Sequence, residues 1–127
     1  ILSIRIGNVA DQVTDERRLH IWCSARDLAA LIDIGLQEED LGFRTVYGVS
    51  DNPAPFFDNS EATALGYQPE DSSLEHLAEP GLATASPSSG DAGDILIGGH
   101  FAARGFEGHL PSLLQHHGLN PDDQSPR

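Results

Sequence analysis

The chain is 127 residues long, enough for one domain with a modest core. Its 20 acidic residues against seven basic ones give a formal net charge of −13, which argues against nucleic acid and against anionic membrane surfaces, since both select Lys and Arg clusters. No stretch approaches the run of about 18 apolar residues that a spanning helix needs, and the single cysteine, Cys23, excludes an internal disulfide and fits a cytoplasmic protein.

In chain order, Ile1 to Val9 reads as a strand with Leu2, Ile4 and Ile6 on one face, ending at Gly7-Asn8. A polar loop runs through Asp11 to Arg18, and Leu19-His20-Ile21-Trp22 reads as a short extended stretch. Ser24 opens a helix. Its hydroxyl can accept from the N–H of Asp27 and Asp27 can reach back, a capping box with Asp in the Glu position. Leu28, Leu31, Ile32 and Leu36 fall at i, i+3, i+4 and i+8, which predicts one buried stripe. Phe43 to Ser50 contains a second strand, and Asp51-Asn52-Pro53 a turn. Phe56 to Leu65 reads as a short helix stopped by Gly66. Asp71 to Gly93 is rich in Ser, Pro, Gly and Ala and reads as a loop with one helical turn near Leu74 to Leu77. A weak helix at Leu110 to His117 precedes a polar tail.

Strand, helix, strand, helix with spacers of this length is the order of a parallel sheet covered by helices, an α/β architecture. Such a sheet is buried on both faces, and two strands alone leave a row of unpaired backbone groups. The alternation already under way at Ile1 therefore leads us to expect further strands upstream, a missing amino-terminal half.

All seven basic residues are Arg, and Lys and Met are absent. A GC-rich genome favours Arg codons, and a halophilic source favours acid-rich surfaces because salt screens their self-repulsion. The size of the acid excess tilts the balance to the halophile.

Arg5-Ile6-Gly7-Asn8-Val9 at a strand end, then Ser24-Ala25-Arg26-Asp27-Leu28-Ala29, then Val46-Tyr47-Gly48-Val49-Ser50-Asp51-Asn52, resembles the late βα units of an extended short-chain dehydrogenase. This is the NAD-dependent epimerase/dehydratase family, and within it the uronate dehydrogenases. Asp58-Asn59, Leu65-Gly66-Tyr67-Gln68-Pro69 and Gly98-Gly99-His100-Phe101 add to the likeness, which covers residues 1 to about 106 and leaves 107 to 127 as an extension.

The resemblance implies the carboxyl-terminal, substrate-side part of a Rossmann-type domain that oxidises a hexuronate at its anomeric carbon with NAD, or NADP, as acceptor. Asn8 matches a substrate-binding Asn or Ser just past a strand end, where uronate dehydrogenases tend to carry Ser. Arg17 matches a clamping Arg whose guanidinium fork suits a carboxylate and equally a phosphate, so a sugar-phosphate dehydrogenase stays open. Val9 matches a position lining the nicotinamide pocket, and Phe101 an aromatic closing over the sugar. Each has a plainer reading: Asn8 as a turn-former, Arg17 as the partner of Asp15 or Glu16, Val9 and Phe101 as packing. His116-His117, His100 and His109 lack a third ligand at metal spacing and read as solvated.

The family's remaining machinery is not in this sequence. There is no G-x-G-x-x-G turn to hold a pyrophosphate. The residues four past Tyr47 and Tyr67 are Asp51 and Asp71, and with no Lys in the chain no Tyr-x-x-x-Lys proton shuttle exists. The expected catalytic set of this chain is therefore empty, and a non-catalytic interaction module or degenerate family member is the reading from a different class. Homo-oligomerisation is left open.

Overall fold

The computed structural model describes residues 1–84, 92–96, 98–104, 107–109, 111–112 and 115. The chain divides into two compact units, Ile1–Ala85 and Ser86–Arg127.

In the first unit, β1 (Leu2–Ile6) and β4 (Arg44–Gly48) lie side by side and parallel, with Leu2 opposite Arg44 and Ile6 opposite Gly48. A two-residue continuation, β2 (Asn8–Val9), pairs in parallel with β3 (Trp22–Cys23), Asn8 against Trp22 and Val9 against Cys23. The helix α2 (Ala25–Gln37) crosses from β3 to β4. The expected parallel α/β order is thus present.

Two cores hold the unit together. Leu31 of α2, Val46 of β4, Ala62 and Tyr67 form one, with Leu2, Ile4, Ile34 and Leu65 packed against it. Val13, Leu19 and Trp22 form the other, with Ala10 and Leu77. Trp22 is fixed there by its indole N–H, which donates to the Ala10 carbonyl at 2.8 Å, and by stacking on His76 at 4.7 Å.

Three sequence expectations change. Leu19 to Trp22 is not extended: α1 (Glu16–Ile21) is a helix whose N-cap, Asp15, accepts from the N–H of Arg18 at 2.9 Å. The cap and the i, i+3 placement of Leu19 and Trp22 in one core outweigh the extended propensity of the short apolar run. The predicted stripe on α2 is only half buried. Leu31 is enclosed and Leu28 partly so, but Ile32 is 44% and Leu36 80% exposed. The line that faces the sheet passes instead through Asp27, Leu31, Ile34 and Gly35; a Cβ at Gly35 would come within 2.8 Å of the Leu2 side chain. Ile6, expected inward with Leu2 and Ile4, is exposed.

Beyond β4, α3 (Ser60–Ala64) is shorter than the predicted Phe56 to Leu65 helix, because Phe56 and Phe57 are used as stacking partners of His20 and Tyr47. Gly66 follows with φ of +92°, the left-handed conformation that stops a helix. The turn expected near Leu74 is a 3₁₀ turn at Ser73–Glu75, and a second spans Pro80–Thr84. The second unit contains α4 (Ala92–Ile95) and α5 (Gly99–Ala103). Most of the predicted helix from Leu110 to His117, including His116-His117, lies outside the described residues.

Among the described residues, no helix is long and apolar enough to cross a membrane, and no group of three His, Cys, Asp or Glu residues is placed to hold a metal ion.

Candidate functional site

Parallel sheets bind ligands beyond the carboxyl ends of their strands, and this is where Asn8 stands. The chain leaves β1 at Ile6, and Gly7 donates its N–H to the Gly48 carbonyl at 3.0 Å. A Cβ at Gly7 would lie 2.1 Å from the Ile21 carbonyl oxygen, so the residue must be glycine for β1 to pass under the end of α1. That close passage sets Asn8 in register with Trp22, the residue that follows α1. Asn8 Oδ1 and Asn52 Oδ1 are buried and, among the described residues, accept no hydrogen bond. A buried acceptor without a donor costs about 1–3 kcal/mol, and such groups in a folded protein call for an explanation.

Arg17 lies in the first turn of α1, half-buried. The carboxylate of Asp15 is engaged by Arg18, through both its N–H and its guanidinium. Val9 follows Asn8 and is 43% exposed, an apolar side chain left open at the strand end. Phe101 stands on α5 of the second unit, 89% exposed. Asn8 and Val9 on β2 and Arg17 on α1 thus belong to the first unit, and Phe101 on α5 to the second.

Sequence reasoning missed two features of this end of the sheet. The first is His20, three residues past Arg17 on α1 and therefore on the same helix face. Its Nδ1 lies 2.9 Å from the Pro53 carbonyl oxygen and its ring stacks on Phe56 at 5.0 Å. Nothing local in the sequence announces this, because Pro53 and Phe56 are more than thirty residues away.

The second is a buried carboxylate clamp. Ser24 caps α2 as expected, accepting from the N–H of Asp27 at 3.0 Å. Asp27 does not complete a capping box: the Ser24 N–H donates to Ser50 Oγ. The Asp27 carboxylate, 1% exposed, accepts instead from Ser50 Oγ at 2.6 Å, from Glu70 N–H at 2.8 Å and from Asp71 N–H at 3.1 Å. It ties the start of α2 to the loops that leave β4 and α3. Next to it, burial and then the negative charge of Asp27 push the Cys23 thiol up to about 11. Burial likewise raises the Tyr67 phenol, whose O–H donates to the Val49 carbonyl. Neither group is prepared as a nucleophile or base near neutral pH. Asp71, hydrogen-bonded by the Arg26 guanidinium, is held below the usual carboxylate range.

A cleft of about 290 Å³ opens past β4, lined in part by Ser50, Asn52, Phe57, Asp58, Asn59 and Tyr67. Its lining includes Asp51 and Asp58 and no cationic residue, so it is unsuited to an anionic group. Several of its polar atoms are also spent within the fold: Ser50 Oγ on Asp27, the Asn59 amide on both backbone groups of Tyr47, and Tyr67 Oη on Val49.

No family model matches the chain. Among individual proteins, it is 40% identical over 104 residues to the uronate dehydrogenase of Pseudomonas putida, covering 82% of this chain and 38% of that protein. It is 35% identical over 83 residues to the NAD-dependent glucose-6-phosphate dehydrogenase of Haloferax volcanii, covering 62% of this chain and 31% of that one. Among solved structures, the glucuronic acid dehydrogenase of Chromohalobacter salexigens matches with a TM-score of 0.70 and 31% identity, over 96% of this chain and 41% of that one. In sequence and in its Rossmann-type fold the chain is similar to uronate dehydrogenases, as the residues quoted for the resemblance lead one to expect. It spans less than half the length of each of these relatives.

Proposed function

We propose that the chain is the carboxyl-terminal, substrate-binding part of an NAD-dependent dehydrogenase that oxidises a hexuronate at its anomeric carbon. The observation that supports this reading most is the buried, unpartnered amide oxygen of Asn8, just past the carboxyl end of β1, in a unit that also carries the half-buried Arg17 on α1. The similarity to uronate dehydrogenases supplies the substrate class.

In this account Arg17 holds the uronate carboxylate through its two-donor fork, fixing which end of the sugar points away from the reacting carbon. The Asn8 amide oxygen accepts from a sugar hydroxyl and so loses its desolvation penalty only when substrate is present. Val9, an apolar side chain left open at the strand end, offers a surface that a nicotinamide ring would cover and keep dry. When bound, NAD would supply the hydride acceptor for oxidation at the anomeric carbon. The proton of the anomeric hydroxyl must be taken by a group outside this chain, since the chain has no lysine to serve a Tyr-x-x-x-Lys pair.

A second reading, a sugar-phosphate dehydrogenase, draws on the similarity to the Haloferax glucose-6-phosphate enzyme, with Arg17 holding phosphate. Calorimetric titration of the purified chain with galacturonate, glucuronate, glucose 6-phosphate and galactose separates the readings. The uronates are expected to bind ahead of the phosphate and of the neutral sugar. Preference for glucose 6-phosphate selects the second reading, and indifference among all four refutes both.

A further inference from the structure

We infer that His20 is a second substrate-reading residue, presenting Nε2 as a hydrogen-bond acceptor to a hydroxyl of the sugar whose carboxylate Arg17 holds. The inference rests on the reading of Arg17 given above and assigns a role to a residue which that reading leaves unused.

The tautomer comes from chemistry. The Pro53 carbonyl oxygen, 2.9 Å from Nδ1, can only accept, so Nδ1 carries the hydrogen. A neutral ring with the proton on Nδ1 leaves a lone pair on Nε2. The ring is also fixed in orientation: the Pro53 bond holds one edge, and Phe56 stacks on its face at 5.0 Å with an interplanar angle of 24°. Two restraints from one loop on a half-buried side chain define where Nε2 points, and a preset acceptor adds affinity because little rotamer freedom is lost on binding. Among the described residues, His20 makes these two contacts through Nδ1 and the ring face, and neither engages Nε2.

Placement follows from the helix. His20 is three residues after Arg17 in α1, which sets the two Cβ atoms about 5–6 Å apart on one face. A hexuronate spans a comparable distance between its carboxylate and its ring hydroxyls. Two residues past His20 is Trp22, the register partner of Asn8, and its carbonyl accepts from the Asn52 side chain at 2.8 Å. His20 and Arg17 thus share one short helix, and that helix runs directly into the strand that pairs with Asn8. The anion is read by Arg17, and a hydroxyl by the His20 acceptor one turn further along the helix.

The test is nitrogen-detected spectroscopy of the imidazole in the 127-residue chain, with galacturonate added to saturation. Before addition, His20 is expected to show a protonated Nδ1 and a bare Nε2. On addition the Nε2 signal is expected to move while Nδ1 holds. His20→Ala is expected to weaken galacturonate binding roughly three- to tenfold, the worth of one neutral hydrogen bond. His20→Asn, whose amide N–H₂ stands where the ring Nδ1 does and can still donate to the Pro53 carbonyl while leaving no acceptor at the Nε2 position, guards against a loss caused by a displaced loop and is expected to weaken binding to a similar extent. A proton found on Nε2, or an unmoved Nε2 with unchanged affinity in both variants while Asn8 and Arg17 signals respond, overturns the role of His20 and leaves the site standing. Silence at Asn8, Arg17 and His20 together overturns the site as well.

Discussion

Removing the Asp27 carboxylate tests whether the loops at the carboxyl end of the sheet are held by the clamp described above. Asp27→Ala deletes three acceptor contacts at once: from Ser50 Oγ at 2.6 Å, Glu70 N–H at 2.8 Å and Asp71 N–H at 3.1 Å. Hydrogen bonds to a charged acceptor contribute about 1.5–3 kcal/mol each. Glu70 and Asp71 lie near the surface, so water can recover part of their loss, whereas Ser50 is buried. The expected cost is about 3–5 kcal/mol, a large part of the roughly 5–15 kcal/mol that stabilises a domain. Asp27→Asn keeps one carbonyl acceptor but turns an N–H₂ toward donors, and should fall between wild type and Ala. Urea unfolding followed by circular dichroism measures both, with an unchanged m-value as the sign that the same transition is read. The cap bond from Asp27 N–H to Ser24 Oγ survives in each variant, so α2 itself should persist. A loss below about 1 kcal/mol for Asp27→Ala would refute the clamp.

Two further outcomes follow from the same geometry. Gly7→Ala drives a Cβ to within 2.1 Å of the Ile21 carbonyl oxygen and 3.1 Å of Val49; we expect a cost at the upper end of the ~1–3 kcal/mol range for overpacking, read by thermal unfolding, and a wild-type Tm would contradict the close passage. The Cys23 thiol, fully buried and raised from 9.0 to about 11, should resist a thiol reagent at pH 8 until the chain is unfolded. Between pH 9 and 11 the unfolded chain gives up the Cys23 proton that the folded chain keeps, so stability should fall as pH rises through that window, and denaturation midpoints that climb there would contradict the buried thiol.

The parallel pair of strands and the Ser24 cap were legible in the sequence because each depends on residues close together. Leu2 and Ile4 alternate, Thr45-Val46-Tyr47 is a β-rich run, and Ser24 sits three residues before Asp27. The α2 stripe failed where spacing was the sole guide. Leu28, Leu31, Ile32 and Leu36 are apolar at helical intervals, but burial follows what the sheet offers, and Gly35 against Leu2 moves the contact line to one side of the helix. Asn8 and Arg17 were singled out by resemblance; the structure sets Asn8 on β2 and Arg17 in the first turn of α1. His20 and the three-way clamp of Asp27 were not legible, because their partners lie between 23 and 44 residues away.

The central claim is that Arg17 receives the anionic end of a sugar acid, and the affinity of the Arg17→Ala chain for galacturonate and for galactose tests it most directly. Losing a charge-assisted hydrogen bond of about 1.5–3 kcal/mol should weaken galacturonate binding roughly ten- to 150-fold. Galactose has no carboxylate and should bind the variant as it binds the wild type. Arg17→Lys should restore only part of the difference, since an ammonium cannot reproduce the planar two-bond fork. A selective loss for the uronate is the predicted result; equal losses for both sugars, or none for either, would remove Arg17 from the site and contradict the account.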